Sequence, residues 1–203
     1  MWAALRVRGQ PQRSRAAHET CSVAAFLGSG GHTAELIAML SALPPERYTP
    51  RTYFISAGDM HSRGKAAALE TRLGGSAHVV TLPRARAVKQ SFLSAPASTV
   101  VALAGCMQAI VLPQLCAGRR RVGPEMLLMN GPGTCVPLVA SVYVLRLFGL
   151  PSPQLVYIES WARVRSLSLT ARLVRPFVDR FVVQWPEVAG PLRDGEQCRG
   201  WLV

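Results

Sequence analysis

The chain has 203 residues, 49% of them apolar, which is enough for one α/β domain with a sizeable core and too few for two. A net charge of +12 and a pI near 10.7 point to acidic partners. Nearly all of that charge is arginine, Lys65 and Lys89 being the lysines, and arginine- and alanine-rich composition follows equally from coding bias. The basicity is therefore not read as nucleic-acid binding.

The polar segment Met1–Glu19 carries Arg6, Arg8, Arg13 and Arg15 without an apolar core, so it is neither a secretory signal nor a membrane anchor. Residues 1–20 read as a basic, disordered tail and 21–203 as a single Rossmann-like domain. Beyond the tail, strand-like and helix-like periods alternate, which predicts a parallel sheet with helices on both faces. Predicted strands are Ser22–Leu27, Arg51–Ser56, His78–Thr81, Met126–Met129, Gln154–Ile158 and Arg180–Gln184. Predicted helices are Ala34–Leu43, Ser62–Leu73, Lys89–Leu115, Cys135–Phe148 and Leu167–Val174.

The first strand runs into Gly28-Ser29-Gly30-Gly31-His32-Thr33 and then a helix. A strand, a glycine-rich turn and a helix aim backbone N–H groups at an anion. A dinucleotide fingerprint wants Gly or Ala at the Thr33 position and an acid about 20 residues on. The nearest good acid, Asp59, lies well past that point, and no G-x-x-x-x-G-K-[ST] is present. No cofactor is expected. His32 and Thr33 can donate to a phosphate or hydroxyl, or can cap the first helical turn.

Ala95–Cys116 is strongly apolar and carries no charge. The sixteen residues between Pro96 and Pro113 are short for a bilayer span of about 20 residues. Burial against the sheet is the first reading. Contact with a membrane surface is the second, favoured by Arg84, Arg86 and Lys89 before the segment and Arg119, Arg120 and Arg121 after it.

After the fourth strand, Asn130-Gly131-Pro132-Gly133-Thr134 makes a second side-chain-poor turn, with Thr134 a candidate helix cap. The fifth strand is followed by Glu159-Ser160-Trp161-Ala162-Arg163. Here Glu159 can take a sugar hydroxyl and Arg163 a phosphate, or the two can pair as a salt bridge. Trp185 can stack on a sugar or a partner chain, or simply pack. The five cysteines, Cys21, Cys106, Cys116, Cys135 and Cys198, show no C-x-x-C spacing. Neither a metal site nor a disulfide framework is expected, and a reducing compartment fits.

In order, Gly28–Thr33, Leu82-Pro83-Arg84, Asn130 to Pro137, Tyr157-Ile158-Glu159-Ser160 with Arg163, Leu167-Ser168-Leu169, Val183-Gln184-Trp185-Pro186 and Gly200-Trp201-Leu202-Val203 resemble one family. It is the membrane-recruiting subunit of the eukaryotic two-subunit UDP-N-acetylglucosamine transferase of dolichol-linked oligosaccharide synthesis, the asparagine-linked glycosylation protein fourteen family. The resemblance implies the N-terminal, acceptor-side half of a GT-B glycosyltransferase, inactive alone. A cytosolic catalytic subunit would carry the UDP-N-acetylglucosamine-binding domain. Together they would add the second N-acetylglucosamine to dolichol-pyrophosphate-N-acetylglucosamine at the cytosolic face of the endoplasmic reticulum membrane, or of the nuclear envelope. The alternative is a pure recruitment scaffold with all catalytic groups on the partner. Family members usually begin with a transmembrane anchor, which Met1–Glu19 does not resemble.

On this reading His32 contacts the acceptor hydroxyl or the pyrophosphate and is the candidate base, while Glu35, placed on the first helical turn, orients His32 or the loop, or serves simply as a helix N-terminal acid. Gly28, Ser29, Gly30, Gly31, Thr33, Arg84, Asn130, Gly131, Gly133, Thr134, Glu159, Ser160 and Arg163 are the expected substrate and phosphate contacts. Trp185, Trp201, Leu202 and Val203 are the expected partner contacts.

Overall fold

The structure is a computed structural model that describes residues 16, 19–85, 95–189, 196–200 and 202. Most of the expected 1–20 tail, Arg86, Lys89, Trp201 and Val203 lie outside the described residues.

Seven strands form one sheet: β1 (Val23–Leu27), β2 (Arg51–Ser56), β3 (His78–Leu82), β4 (Met126–Asn130), β5 (Gln154–Ile158), β6 (Arg180–Val183) and β7 (Glu196–Cys198). Their spatial order is β3-β2-β1-β4-β5-β6-β7, and every neighbouring pair is parallel. The helices are α1 (Gly31–Ser41), α2 (Met60–Arg72), α3 (Ala95–Cys106), α4 (Leu112–Ala117), α5 (Cys135–Leu147), α6 (Leu169–Val174) and α7 (Pro186–Ala189).

Alternation along β1 explains why both faces are covered. Val23, Ala25 and Leu27 pack with Leu36 and Leu40 of α1 and with Ala66 and Leu69 of α2. Ala24 and Phe26 face the opposite layer, with Cys106, Leu138, Val142, Ala171 and Val174. The strand order reverses between β1 and β4, so the helices that follow these two strands leave on opposite faces. In α/β sheets such a reversal opens a crevice outside the carboxyl ends of the two strands, and ligands are held there.

Two expectations about elements need correction. α1 begins at Gly31 rather than Ala34, so the glycine turn ends inside the helix's first turn and Glu35 is the fifth helical residue. The three-residue strand β7 and the short helix α7 had no apolar run long enough to announce them.

The apolar segment also departs from expectation. α3 and α4 are joined by a π-helical turn, Met107–Val111, and Pro113 sits in the first turn of α4, where a missing N–H costs nothing. Pro96–Ala117 is thus one 22-residue helix of mean hydropathy 1.9, long and apolar enough to cross a membrane. Burial is not its main state: only 28% of its most apolar window is covered. Ala102, Cys106, Val111 and Gln114 face inward, and the helix packs on α5, whereas Val100, Val101, Leu112 and Leu115 are exposed.

Candidate active site

β1 delivers the chain into the crevice at Gly28. A Cβ on Gly28 would lie 2.3 Å from Pro132 Cγ, so the turn after β1 and the turn after β4 touch through a position open only to glycine. The Thr33 side chain does not cap α1. Gly30 holds the cap position without a side-chain bond, and the buried Thr33 Oγ1 lies 3.0 Å from the Gly28 carbonyl and 2.7 Å from Ser62 Oγ. Asp59 caps α2 through the Ser62 N–H and also meets the Ser62 hydroxyl. Asp59 and Ser62 therefore brace the glycine turn from the neighbouring helix. Sequence reasoning assigned them no part in the site, although Asp three residues before Ser at a helix start is a capping pattern.

The second turn is tied down in the same way. Thr134 makes no cap bond; instead its hydroxyl accepts from the Ala85 N–H at 3.1 Å, drawing the loop after β3 against the loop after β4. Arg84 is thereby held beside this turn. Its Nε is buried and, among the described residues, without a hydrogen-bond partner.

His32 stands half-buried over the junction of the two turns. Its Nδ1 is 2.7 Å from Asn130 Oδ1. The imidazole lies flat on Gly131, where φ is +80° and a Cβ would come within 2.3–2.6 Å of three ring atoms. Asn130, at the end of β4, is fully buried and donates from Nδ2 to Glu35 Oε2 at 2.9 Å. Glu35 is also buried and accepts from Ser160 Oγ (2.7 Å) and from the Trp161 N–H (3.3 Å). Four loops thus meet at one rim. Glu35 reaches His32 only through Asn130.

The expected contacts separate by exposure. Ser29, Gly30, Gly31 and Gly133 are exposed, and with His32 they form the mouth of the crevice. Gly28, Thr33, Asn130, Gly131, Thr134, Glu159 and Ser160 are buried and build its frame. Glu159 is not available to a sugar hydroxyl: its two oxygens accept from the backbone N–H groups of Ser160 and Ser168 at 3.0 and 2.8 Å, and the residue is 1% exposed. Among the described residues no ion pair joins Glu159 to Arg163, whose side chain is exposed. Ser168 caps α6 through the Ala171 N–H, as its position predicts. Cys135 opens α5 beside the second turn. Burial, with the nearby Cys106 thiol, pushes its own thiol far up, so it packs rather than attacks.

At the β5–β6 end of the rim, the Trp185 indole N–H donates to the Trp161 carbonyl. Gln184 bridges the Glu159 carbonyl and the Leu202 N–H. Trp161 and Leu202 are left partly exposed there.

Residues 23–200 match the family model described as oligosaccharide biosynthesis protein Alg14 like. The chain belongs to this family. It is 44% identical over 174 residues to a UDP-N-acetylglucosamine transferase subunit ALG14 of Cryptococcus neoformans, covering 83% of this chain and 76% of that one. The Schizosaccharomyces pombe subunit of that name is 39% identical (84% and 79% covered), and the Mus musculus subunit 35% (78% and 73% covered). Among solved structures, Acinetobacter baumannii MurG superposes with a TM-score of 0.58 at 14% identity, over 87% of this chain and 45% of its own. A putative UDP-N-acetylglucosamine 2-epimerase from Listeria monocytogenes gives 0.50 at 12% identity, over 83% and 39%. The Alg14-like chain therefore has the Rossmann-like fold of GT-B glycosyltransferases and spans less than half the length of these structural neighbours.

Proposed function

We propose that this chain is the acceptor-side subunit of a UDP-N-acetylglucosamine transferase. It would take an N-acetylglucosamine carried on a dolichol pyrophosphate and bring the donor-binding subunit to the membrane. The observation that carries this reading is the meeting of the glycine turn, the Asn130–Thr134 turn and His32 at one crevice, on a fold that is half of a GT-B enzyme.

The chemistry follows from the mouth of the crevice. The first N–H groups of α1 have no intrahelical partner, and together with the helix dipole they favour a phosphate at Gly30–His32. Arg84, whose buried Nε–H has no partner among the described residues, supplies a cation beside the second turn. His32 Nε2 then accepts the proton of the acceptor sugar's hydroxyl. That oxygen bonds to C1 of the donor sugar while UDP leaves, held by the partner. The exposed Trp161 and Leu202, with Trp185 anchored between them, offer the partner an apolar corner.

The test is reconstitution. Neither this chain nor the separately purified donor-binding subunit should transfer N-acetylglucosamine to a lipid-pyrophosphate-N-acetylglucosamine acceptor, and the mixture should. Full turnover by the donor-binding subunit without this chain would overturn the proposal.

Membrane contact is assigned to the outer face of Pro96–Ala117. A helix whose inner face packs on α5 cannot cross a bilayer without stripping that face, so it lies in the membrane surface with Val100, Val101, Leu112 and Leu115 in the lipid. The exposed Arg119 and Arg120 follow the helix, where they meet anionic headgroups. Each apolar side chain withdrawn from lipid costs about 1.5 kcal/mol, close to a tenfold loss. A Val101→Asp/Leu112→Asp chain should bind phosphatidylcholine–phosphatidylserine vesicles about a hundredfold more weakly, with an unchanged melting temperature. Unchanged vesicle binding with loss of the partner subunit would instead give this face to the partner.

A further inference from the structure

We infer that Glu35 sets the tautomer of His32 through Asn130, and that Asn130 and Glu35 are positioning residues whose joint function is to keep Nε2 free of its proton. The inference deepens the role proposed for His32, but the proton's place on the ring is a property of the chain itself.

Each link has one orientation. A carboxylate only accepts, so the Asn130 group facing Glu35 Oε2 at 2.9 Å is the amide nitrogen. The Asn130 oxygen must then face His32 Nδ1, 2.7 Å away. A carbonyl oxygen also only accepts, so Nδ1 carries the hydrogen and the neutral ring keeps its lone pair at Nε2. Among the described residues Nε2 has no hydrogen-bond partner. Glu35 is itself fixed from the loop after β5, by Ser160 Oγ and the Trp161 N–H. The middle of the chain is dry, with Asn130 at 0%, Ser160 at 3% and Glu35 at 6% exposure, so water does not compete for the bond between the amide and the carboxylate.

The topology explains why three residues are needed. Asn130 ends β4 and His32 opens the helix after β1, so their bond straddles the strand-order reversal. Glu35, one helical turn beyond His32, points into the space between β4 and the loop after β5. An amide alone would be free to turn over and present its nitrogen to the ring, which would move the hydrogen to Nε2 and remove the base. Glu35 removes that freedom.

The test reads the ring directly. Long-range 1H–15N spectra of the uniformly 15N-labelled full chain, with the His32 signals assigned by comparison with His32→Ala, should show hydrogen on Nδ1. Glu35→Gln should keep the hydrogen on Nδ1, because the Trp161 N–H holds the new side chain's carbonyl oxygen toward Asn130 and its amide nitrogen turns to Ser160 Oγ. In Glu35→Leu no acceptor faces the Asn130 nitrogen, Asn130 can turn over, and hydrogen should appear on Nε2. kcat of the reconstituted enzyme should then fall severalfold or more in Glu35→Leu while KM for the nucleotide sugar stays constant. The double variant Glu35→Gln/Asn130→Asp exchanges amide and carboxylate, keeps an acceptor opposite Nδ1, and should retain both the Nδ1–H signal and most of kcat. Hydrogen on Nε2 in the wild-type chain overturns the inference, as does Nδ1–H persisting unchanged in Glu35→Leu. If the spectra behave as expected but all variants transfer sugar normally, the relay stands and the proposal that His32 is the base falls.

Discussion

Replacing His32 with alanine is expected to lower kcat of the reconstituted transferase by about 10²–10⁴-fold, the contribution of a positioned general base. The other acids of the crevice cannot take over. Glu35 spends its oxygens on Asn130, Ser160 and Trp161, and Glu159 spends both of its own on backbone amides. The fold should survive, because the imidazole is half-exposed and Asn130 is its hydrogen-bonding partner. Initial rates at saturating nucleotide sugar, with the melting temperature measured alongside, make the comparison. KM for the donor should change little if, as proposed, the donor is held by the other subunit. Normal turnover would move the base to the partner and leave this chain a recruitment scaffold.

The parallel sheet was legible because buried strands are written as short apolar runs closed by Gly, Pro or Asn. VAAFL before Gly28 and MLLMN before Gly131 are both of this kind, and both ended within a residue or two of their predicted bounds. β7 was invisible because EQC is neither apolar nor alternating, and it joins the sheet only because β6 offers an open edge. The helix expected over Lys89–Leu115 does run through Pro113, with the π-helical turn Met107–Val111 just before the proline.

At the crevice, sequence reasoning found the turns but not the division of labour within them. Thr33, Thr134 and Glu159 looked like ligand donors because their residue types can be. Which hydroxyl or carboxylate is already spent depends on Ser62, Ala85 and Ser168, residues that no local pattern pairs with them. Glu35 and Asn130 lie 95 positions apart, so their bond could be seen only after β1 and β4 were known to be neighbours.

A second large effect is expected far from this chemistry, at the opposite edge of the sheet. At the start of β2, Arg51 forms a two-pronged pair with Glu70 of α2, at 2.6 and 2.9 Å, and the Tyr53 hydroxyl donates to the same carboxylate. The Arg51 and Glu70 side chains are 8% and 3% exposed. Glu70→Ala leaves a guanidinium buried without its counter-charge, which should lower the unfolding free energy by about 3–5 kcal/mol. The pH dependence identifies the cause. Burial alone would raise the Glu70 carboxyl, but the bonds from Arg51 and Tyr53 and the Arg51 charge outweigh it and hold the carboxyl below its ordinary value of 4.5. A carboxyl depressed in the folded state contributes stability that is fully present above its unfolded value and is lost as pH falls through the folded one. Denaturant unfolding of the wild type should therefore weaken more steeply below about pH 4.5 than that of Glu70→Ala. Parallel acid limbs in the two proteins would show that the pair adds nothing. Because Arg51 begins β2 and His32 follows the far end of β1, folded Glu70→Ala should retain its kcat once paired with the donor subunit. It is the reciprocal of His32→Ala, which should lose turnover and keep its melting temperature, and measuring both variants separates what holds the sheet together from what the sheet presents at its rim.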